Sequence, residues 1–135
     1  MINNQINNIF KDKSGNLWFG SLGGISMFNG TQFDSFHFKT ELSTFFVTSI
    51  KQDNDGALWL GSDGGGLIKF TNEKFISYTQ DDGLISNTIM SIVEDQHGAI
   101  WFSSYGNGIS KFYNNIYTNF TEKDGLGNNT VWCSL

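Results

Sequence analysis

Three aspartates recur at a near-fixed interval: Asp12, Asp53 and Asp95 lie 41 and 42 residues apart, and each is followed six residues later by a tryptophan, Trp18, Trp59 or Trp101. A carboxylate can act as general acid or base, and an indole face can stack on the apolar face of a sugar. Glycoside hydrolysis would need two carboxylates across one bond, roughly 5 Å or roughly 6.5–9.5 Å apart. Aspartates supplied one per unit stand on separate turns, so they are expected to cap those turns. Strict recurrence likewise suits tryptophans that pack one unit against the next, because a ligand site usually breaks repeat symmetry.

Other chemical readings fail on spacing. Asp53-x-Asp55-Gly56 resembles the start of a calcium loop, but position 12, where a glutamate is needed, is Gly64. Gly64-Gly-Gly66 is followed by no Gly-Lys-Ser/Thr and no helix, so it reads as a turn. His37 and His97 fall at different places in their units without metal-ligand neighbours, and are expected in solvent-facing loops or edges. No Gly-x-Ser-x-Gly accompanies them. Cys133 is a lone cysteine, so thiols indicate neither a disulfide nor a metal site. No catalytic residue, metal site or cofactor is expected.

The elements that must position these residues follow from the repeat. Gly15, Gly56 and Gly98 complete a D-x-x-G-x-x-W pattern. Within one unit, Val47–Asp53 alternates apolar and polar residues and reads as a strand. Asp53-Asn-Asp-Gly56 is a turn, Ala57–Gly61 a second strand, Ser62–Gly66 a glycine turn and Leu67–Phe70 a third strand. Thr71–Lys74 is a turn, and Phe75–Thr79 a fourth strand. Ile25, Leu67 and Ile109 keep the 42-residue register, as do Phe28, Phe70 and Phe112. Four antiparallel strands per unit of this length describe one blade of a β-propeller. The predicted fold is all-β: repeats over about 2–42, 43–84 and 85–126, with 127–135 starting a further blade. Ser134 stands where Ile92 and Ile50 place an apolar residue, so the frame slips there or the strand is degenerate.

Propellers close with roughly four to eight blades. Three blades and a first strand would leave two apolar faces bare. The expectation is a piece of a longer polypeptide, with a ring assembled from several copies as the alternative; a truncated remnant is a third reading.

Composition narrows the partners. The net charge of −5 and the absence of a basic cluster argue against nucleic acid and against an anionic membrane surface. The N-terminus lacks signal-peptide character, and no apolar run approaches the roughly 20 residues that cross a bilayer.

One constellation is brought together by topology. In an up-and-down blade, the second-to-third and fourth-to-first turns emerge at the same end. That groups Leu22, Asp63, Tyr105 and Asn107 with Asp81, Asp82, Lys123, Asp124 and Glu41. Leu22, Asp63 and Tyr105 are equivalent positions that differ between repeats, which suits a ligand surface as well as ordinary solvated turns.

The pattern Asp53…Gly56-Ala-Leu-Trp-Leu-Gly-Ser62…Gly65-Gly-Leu67…Phe70, ending at Asp82-Gly-Leu84, resembles the two-component regulator propeller repeat. The resemblance covers essentially the whole chain. It departs at Glu41-Leu42, where the other repeats have Gly-Leu, and at Ser103-Ser104, where they have Gly-Ser. It implies a periplasmic or extracytoplasmic sensor propeller, often preceding a membrane span and a histidine kinase, that receives an oligosaccharide or other small ligand without catalysis. The alternatives are a lectin-like or glycan-active propeller, disfavoured by the lack of any arginine to clamp a carboxylate, and a self-assembling short propeller.

Overall fold

The computed structural model describes residues 4–39 and 42–131. The expectations at Glu41, Cys133 and Ser134, and most of the strand begun at Thr130, lie outside those residues. Twelve strands follow in order: β1 (Ile6–Lys11), β2 (Leu17–Ser21), β3 (Gly24–Phe28), β4 (Phe33–His37), β5 (Val47–Gln52), β6 (Leu58–Ser62), β7 (Leu67–Thr71), β8 (Lys74–Tyr78), β9 (Ile89–Glu94), β10 (Ile100–Ser104), β11 (Gly108–Tyr113) and β12 (Ile116–Phe120). They form three separate four-stranded antiparallel sheets, β1–β4, β5–β8 and β9–β12, each with its strands in chain order. The first strands pack beside one another, β1 on β5 and β5 on β9, and the blades fan outward from that inner edge.

Strand burial follows from each blade's place in the stack. All five residues of β6 are buried, because the middle blade is covered on both faces. On β1 the burial alternates, since one face of the first blade has no neighbour. The core accordingly lies between sheets. Trp18 and Ile25 of the first blade meet Val47, Ile50, Leu58, Leu60, Ile68 and Phe70 of the second. Trp59 and Leu67 meet Ile89, Ile92, Ile100 and Phe102 in the same way. Each such side chain contributes roughly 1.5–3 kcal/mol relative to exposure.

Close approach of the sheets depends on missing side chains. A Cβ on Gly20 would lie 2.7 Å from Val47 Cγ1, and one on Gly61 would lie 2.9 Å from Ile89 Cγ2. The third blade carries Ser103 at that register position. It is buried, and its hydroxyl has no hydrogen-bond partner among the described residues.

Two local features differ from the sequence reading. The expected four-residue turn Thr71–Lys74 is tighter: Thr71 pairs with Lys74, leaving Asn72 and Glu73 alone in the turn with φ of 50° and 60°. After the fourth strands come short 3-10 helices, Gln80–Asp82 and Glu122–Asp124. Each is capped by its own aspartate: Thr79 N–H donates to Asp82 Oδ2 at 2.8 Å, and Thr121 N–H to Asp124 Oδ2 at 2.9 Å.

Candidate functional site

The recurring aspartates are turn caps that also hold their tryptophans. Trp18, Trp59 and Trp101 each donate from Nε1 to Oδ2 of Asp12, Asp53 and Asp95, all at 2.8 Å. The other oxygen, Oδ1, accepts backbone N–H groups two and four residues on: Ser14 and Asn16, Asp55 and Ala57, His97 and Ala99. Gly15, Gly56 and Gly98 close these turns with φ between 84° and 89°. Burial works to raise the Asp12 carboxyl, but hydrogen bonds from Trp18, Asn16 and Ser14 outweigh it and its pKa lies below the ordinary value. The Trp101 hydrogen bond, with those of Ala99 and His97, lowers Asp95 similarly. Carboxylates so engaged are structural staples.

The tryptophan faces are also taken. Trp18 packs edge-on to Phe70 of the next blade at 5.8 Å and Trp59 against Phe112 at 5.7 Å, both indoles being buried. Tyr78 stacks on Trp59 at 6.0 Å and Phe120 on Trp101 at 5.6 Å. Lys69 and Lys111 place their Nζ 5.2 and 5.3 Å from the Trp59 and Trp101 ring centroids.

At the opposite end of the blades, the loop residues divide by task. Asp63 Oδ1 accepts the Phe46 N–H at 2.7 Å, and the Asp63 backbone bridges Thr88. Asp82 and Asp124 cap the 3-10 helices. The Leu22 backbone bridges Phe46, and the side chain is half-buried. Asp81, Asn107 and Lys123 are exposed, and Tyr105 is 55% exposed. The turns between second and third strands also meet the lead-in to the next blade: Gly23 N–H donates to Phe45 O, Gly66 to Asn87 O and Gly108 to Asn129 O, at 3.1, 2.8 and 2.7 Å. Three of the acidic residues grouped by topology therefore hold the loops in place, a task their Asp-before-Gly setting did not announce.

Among the described residues, three inter-blade concavities have linings that share no residue with this loop-end group. One, of about 730 Å³, runs along the outer rim between β4 and the β7–β8 hairpin. Two others, of about 340 and 300 Å³, lie at the aspartate-turn end between successive blades. The first of this pair is walled by Asp55, Glu94, Trp59, Lys69 and Tyr113. Burial, then the charges of Asp53 and Asp55, push the Glu94 carboxyl up, against a hydrogen bond from Asn54 N–H. Sequence spacing gave no sign of these clefts, because each is built from two repeats. His37 and His97 are both exposed, and among the described residues no cluster of three His, Cys, Asp or Glu side chains is arranged to hold a metal ion.

Comparison with known proteins places this geometry. The model of the two component regulator propeller family matches residues 1–23, 41–64 and 83–106, together a little over half of the chain. Each matched stretch carries one Asp–Trp staple and ends at the turn after the second strand. The extracellular domain of a B. thetaiotaomicron protein assigned as a hybrid two-component system is similar over 96% of this chain, with 25% identity and a TM-score of 0.84. A second B. thetaiotaomicron extracellular domain, assigned as a one-component system, aligns over 98% with 20% identity and a TM-score of 0.82. The chain spans 19% of the length of each. Virginiamycin B lyase from Staphylococcus aureus shares the fold at 17% identity, with a TM-score of 0.73 over 95% of this chain and 43% of its own. No curated protein sequence matches the chain. Repeat, staple and blade stacking agree: this chain belongs to the two component regulator propeller family.

Proposed function

We propose that the chain is a ligand-receiving segment of an extracytoplasmic two-component sensor, with no catalysis of its own. The observation that carries this reading is the threefold family match, laid over blades whose recurring carboxylates are consumed in Asp–Trp staples. The similarity to extracellular domains of two-component and one-component systems supports the location. The family's link to oligosaccharides supports that ligand class. The proposed surface is the loop end: Leu22, Asp81, Tyr105, Asn107 and Lys123 present side chains there, while Asp63, Asp82 and Asp124 hold the loops that carry them. Further blades, from the same polypeptide or from a second copy, are proposed to cover the two outer blade faces.

Calorimetric and thermal-shift titration of the 135-residue chain with an oligosaccharide panel tests this. Binding raises the melting temperature by mass action, and Tyr105→Ala and Lys123→Ala abolish it. Equal binding by those variants would remove the loop end from the proposal. Consumption of an oligosaccharide by the chain alone, followed by chromatography, would overturn its non-catalytic part.

A further inference from the structure

The rim concavity between the first two blades, about 730 Å³, is lined by Phe36, His37, Lys39, Lys74, Phe75 and Ile76, with the Asn72-Glu73 turn at one end. Its volume lies within the roughly 300–1,000 Å³ of small-molecule sites. Its floor is aromatic and fixed: Phe36 and Phe75 both pack on Phe70, at 4.9 and 4.7 Å between centroids, and the buried Phe38 meets Phe75 edge-on at 4.9 Å. Asn72 and Glu73 hold the left-handed pair of a two-residue hairpin, so the wall they form is also rigid.

The rim is basic on a chain whose net charge is −5. Lys39 and Lys74 share the lining with one acidic residue, Glu73. Among the described residues no carboxylate forms an ion pair with either lysine. This character breaks the repeat. Shifted by 42 residues, His37, Lys39 and Lys74 become Thr79, Asp81 and Ile116, so the seam between the second and third blades has no base at these places and gains an acid. Phe36 and Phe75 become Tyr78 and Tyr117, and the Tyr117 hydroxyl is pushed up to about 12 by burial, then by Tyr78 and Asp82. The first seam thus combines a fixed aromatic floor with two lysines in its lining, a pairing the second seam lacks.

We propose that this concavity is a binding site for an organic anion with a flat apolar ring, its ring on Phe36 and Phe75 and its carboxylate toward Lys39 and Lys74. The aromatic floor contributes contact and the lysines contribute selection by sign. This deepens the reception reading by assigning it a second, rim site for a carboxylated ring, whose lining shares no residue with the proposed loop-end surface.

Titration of the ¹⁵N-labelled 135-residue chain with 1-naphthoate, followed by amide chemical shifts, tests the assignment. The expected result is saturable shifts at His37 and at Asn72–Ile76, with the neutral 1-naphthalenemethanol at least tenfold weaker. Lys39→Glu and Lys74→Glu, both at exposed positions, each weaken naphthoate at least fivefold, and added salt weakens it further. Equal affinity for the neutral analogue, or unaltered affinity in both variants, overturns the charge selection and with it the site. Shifts confined to the open blade face around Ile9, or to Tyr105 and Asn107 at the loop end, overturn the rim site; in the second case loop-end reception stands.

Discussion

Asp53 and Trp59 face each other across the turn between β5 and β6, joined by a 2.8 Å hydrogen bond from Nε1 to Oδ2, and both are buried. One carboxylate thus closes a turn with one oxygen and orients the main inter-blade side chain with the other. Trp59→Phe removes the donor while keeping most of the ring, leaving a buried oxygen unsatisfied. The expected loss is about 1–3 kcal/mol in urea unfolding. Trp101→Phe, whose indole is more exposed, costs less. Equal losses at the two positions would show that burial does not set the strength of the staple.

Acid weakens the fold through the carboxylates of the first and third staples. Asp12 and Asp95 sit below their ordinary pKa in the folded chain. Their stabilisation is complete above the unfolded value, about 3.9, and is lost as pH falls through the lower folded values. Urea midpoints measured from pH 6 to pH 2 should therefore fall in the acid limb, and Asp95→Asn should flatten that fall. An unchanged limb would remove Asp95 from the account.

Glu94 carries the opposite sign. Its folded pKa is raised, so the folded chain holds that proton more tightly and loses stability as pH rises through the titration. Glu94→Gln keeps an acceptor for Asn54 N–H and removes the charge beside Asp53 and Asp55. Thermal unfolding should place the variant slightly above the parent at pH 7, by under about 1 kcal/mol for so accessible a group, and level with it near pH 3. A lower melting temperature at pH 7 would mean the charge is compensated.

Packing at the blade seams predicts a contrast. Gly61→Ala puts a methyl 2.9 Å from Ile89 Cγ2 and 2.7 Å from Ser49 Oγ, and overpacking of this kind costs about 1–3 kcal/mol. Ser103→Ala at the equivalent position removes a buried hydroxyl without a partner among the described residues, and is expected to be neutral or stabilising by up to about 1 kcal/mol. Destabilisation by both would mean that Ser103 is satisfied by a group the alanine cannot replace.

The outer face of the first blade predicts association. Ile9 is 64% exposed, whereas its equivalents Ile50 and Ile92 are 7% and 6% exposed. Ile50→Ala should cost about 2–5 kcal/mol and Ile9→Ala far less. Ile9→Asn should reduce the average mass in light scattering. A monodisperse monomer before any substitution would contradict association through that face.

Much of this molecule was legible in its period. The 42-residue register of Ile25, Leu67 and Ile109 located the blades, and the strands of the middle repeat fall within one residue of their expected ends. The six-residue Asp-to-Trp interval was visible too, yet the hydrogen bond it encodes was read only as a cap, because an indole N–H leaves no mark in hydropathy. The turn at Thr71–Lys74 was legible, but its tight two-residue form was not, because neither Asn72 nor Glu73 is the glycine that left-handed turns usually announce. The rim concavity was invisible for a different reason: Phe36 and Lys74 belong to different repeats and meet only when two sheets stack at their particular twist.

Gly20, Gly61 and Ser103 share one register position, and that single atom-scale difference has a genetic consequence. A rearrangement that moved the third module ahead of the second would drive the Ser103 side chain into the space of Val47, where even a bare Cβ lies 2.7 Å away. The modules look alike in outline but cannot be reshuffled freely. Duplication of whole units can lengthen such an array only where the incoming neighbour tolerates the residue at this point, so the order of the units is itself inherited information.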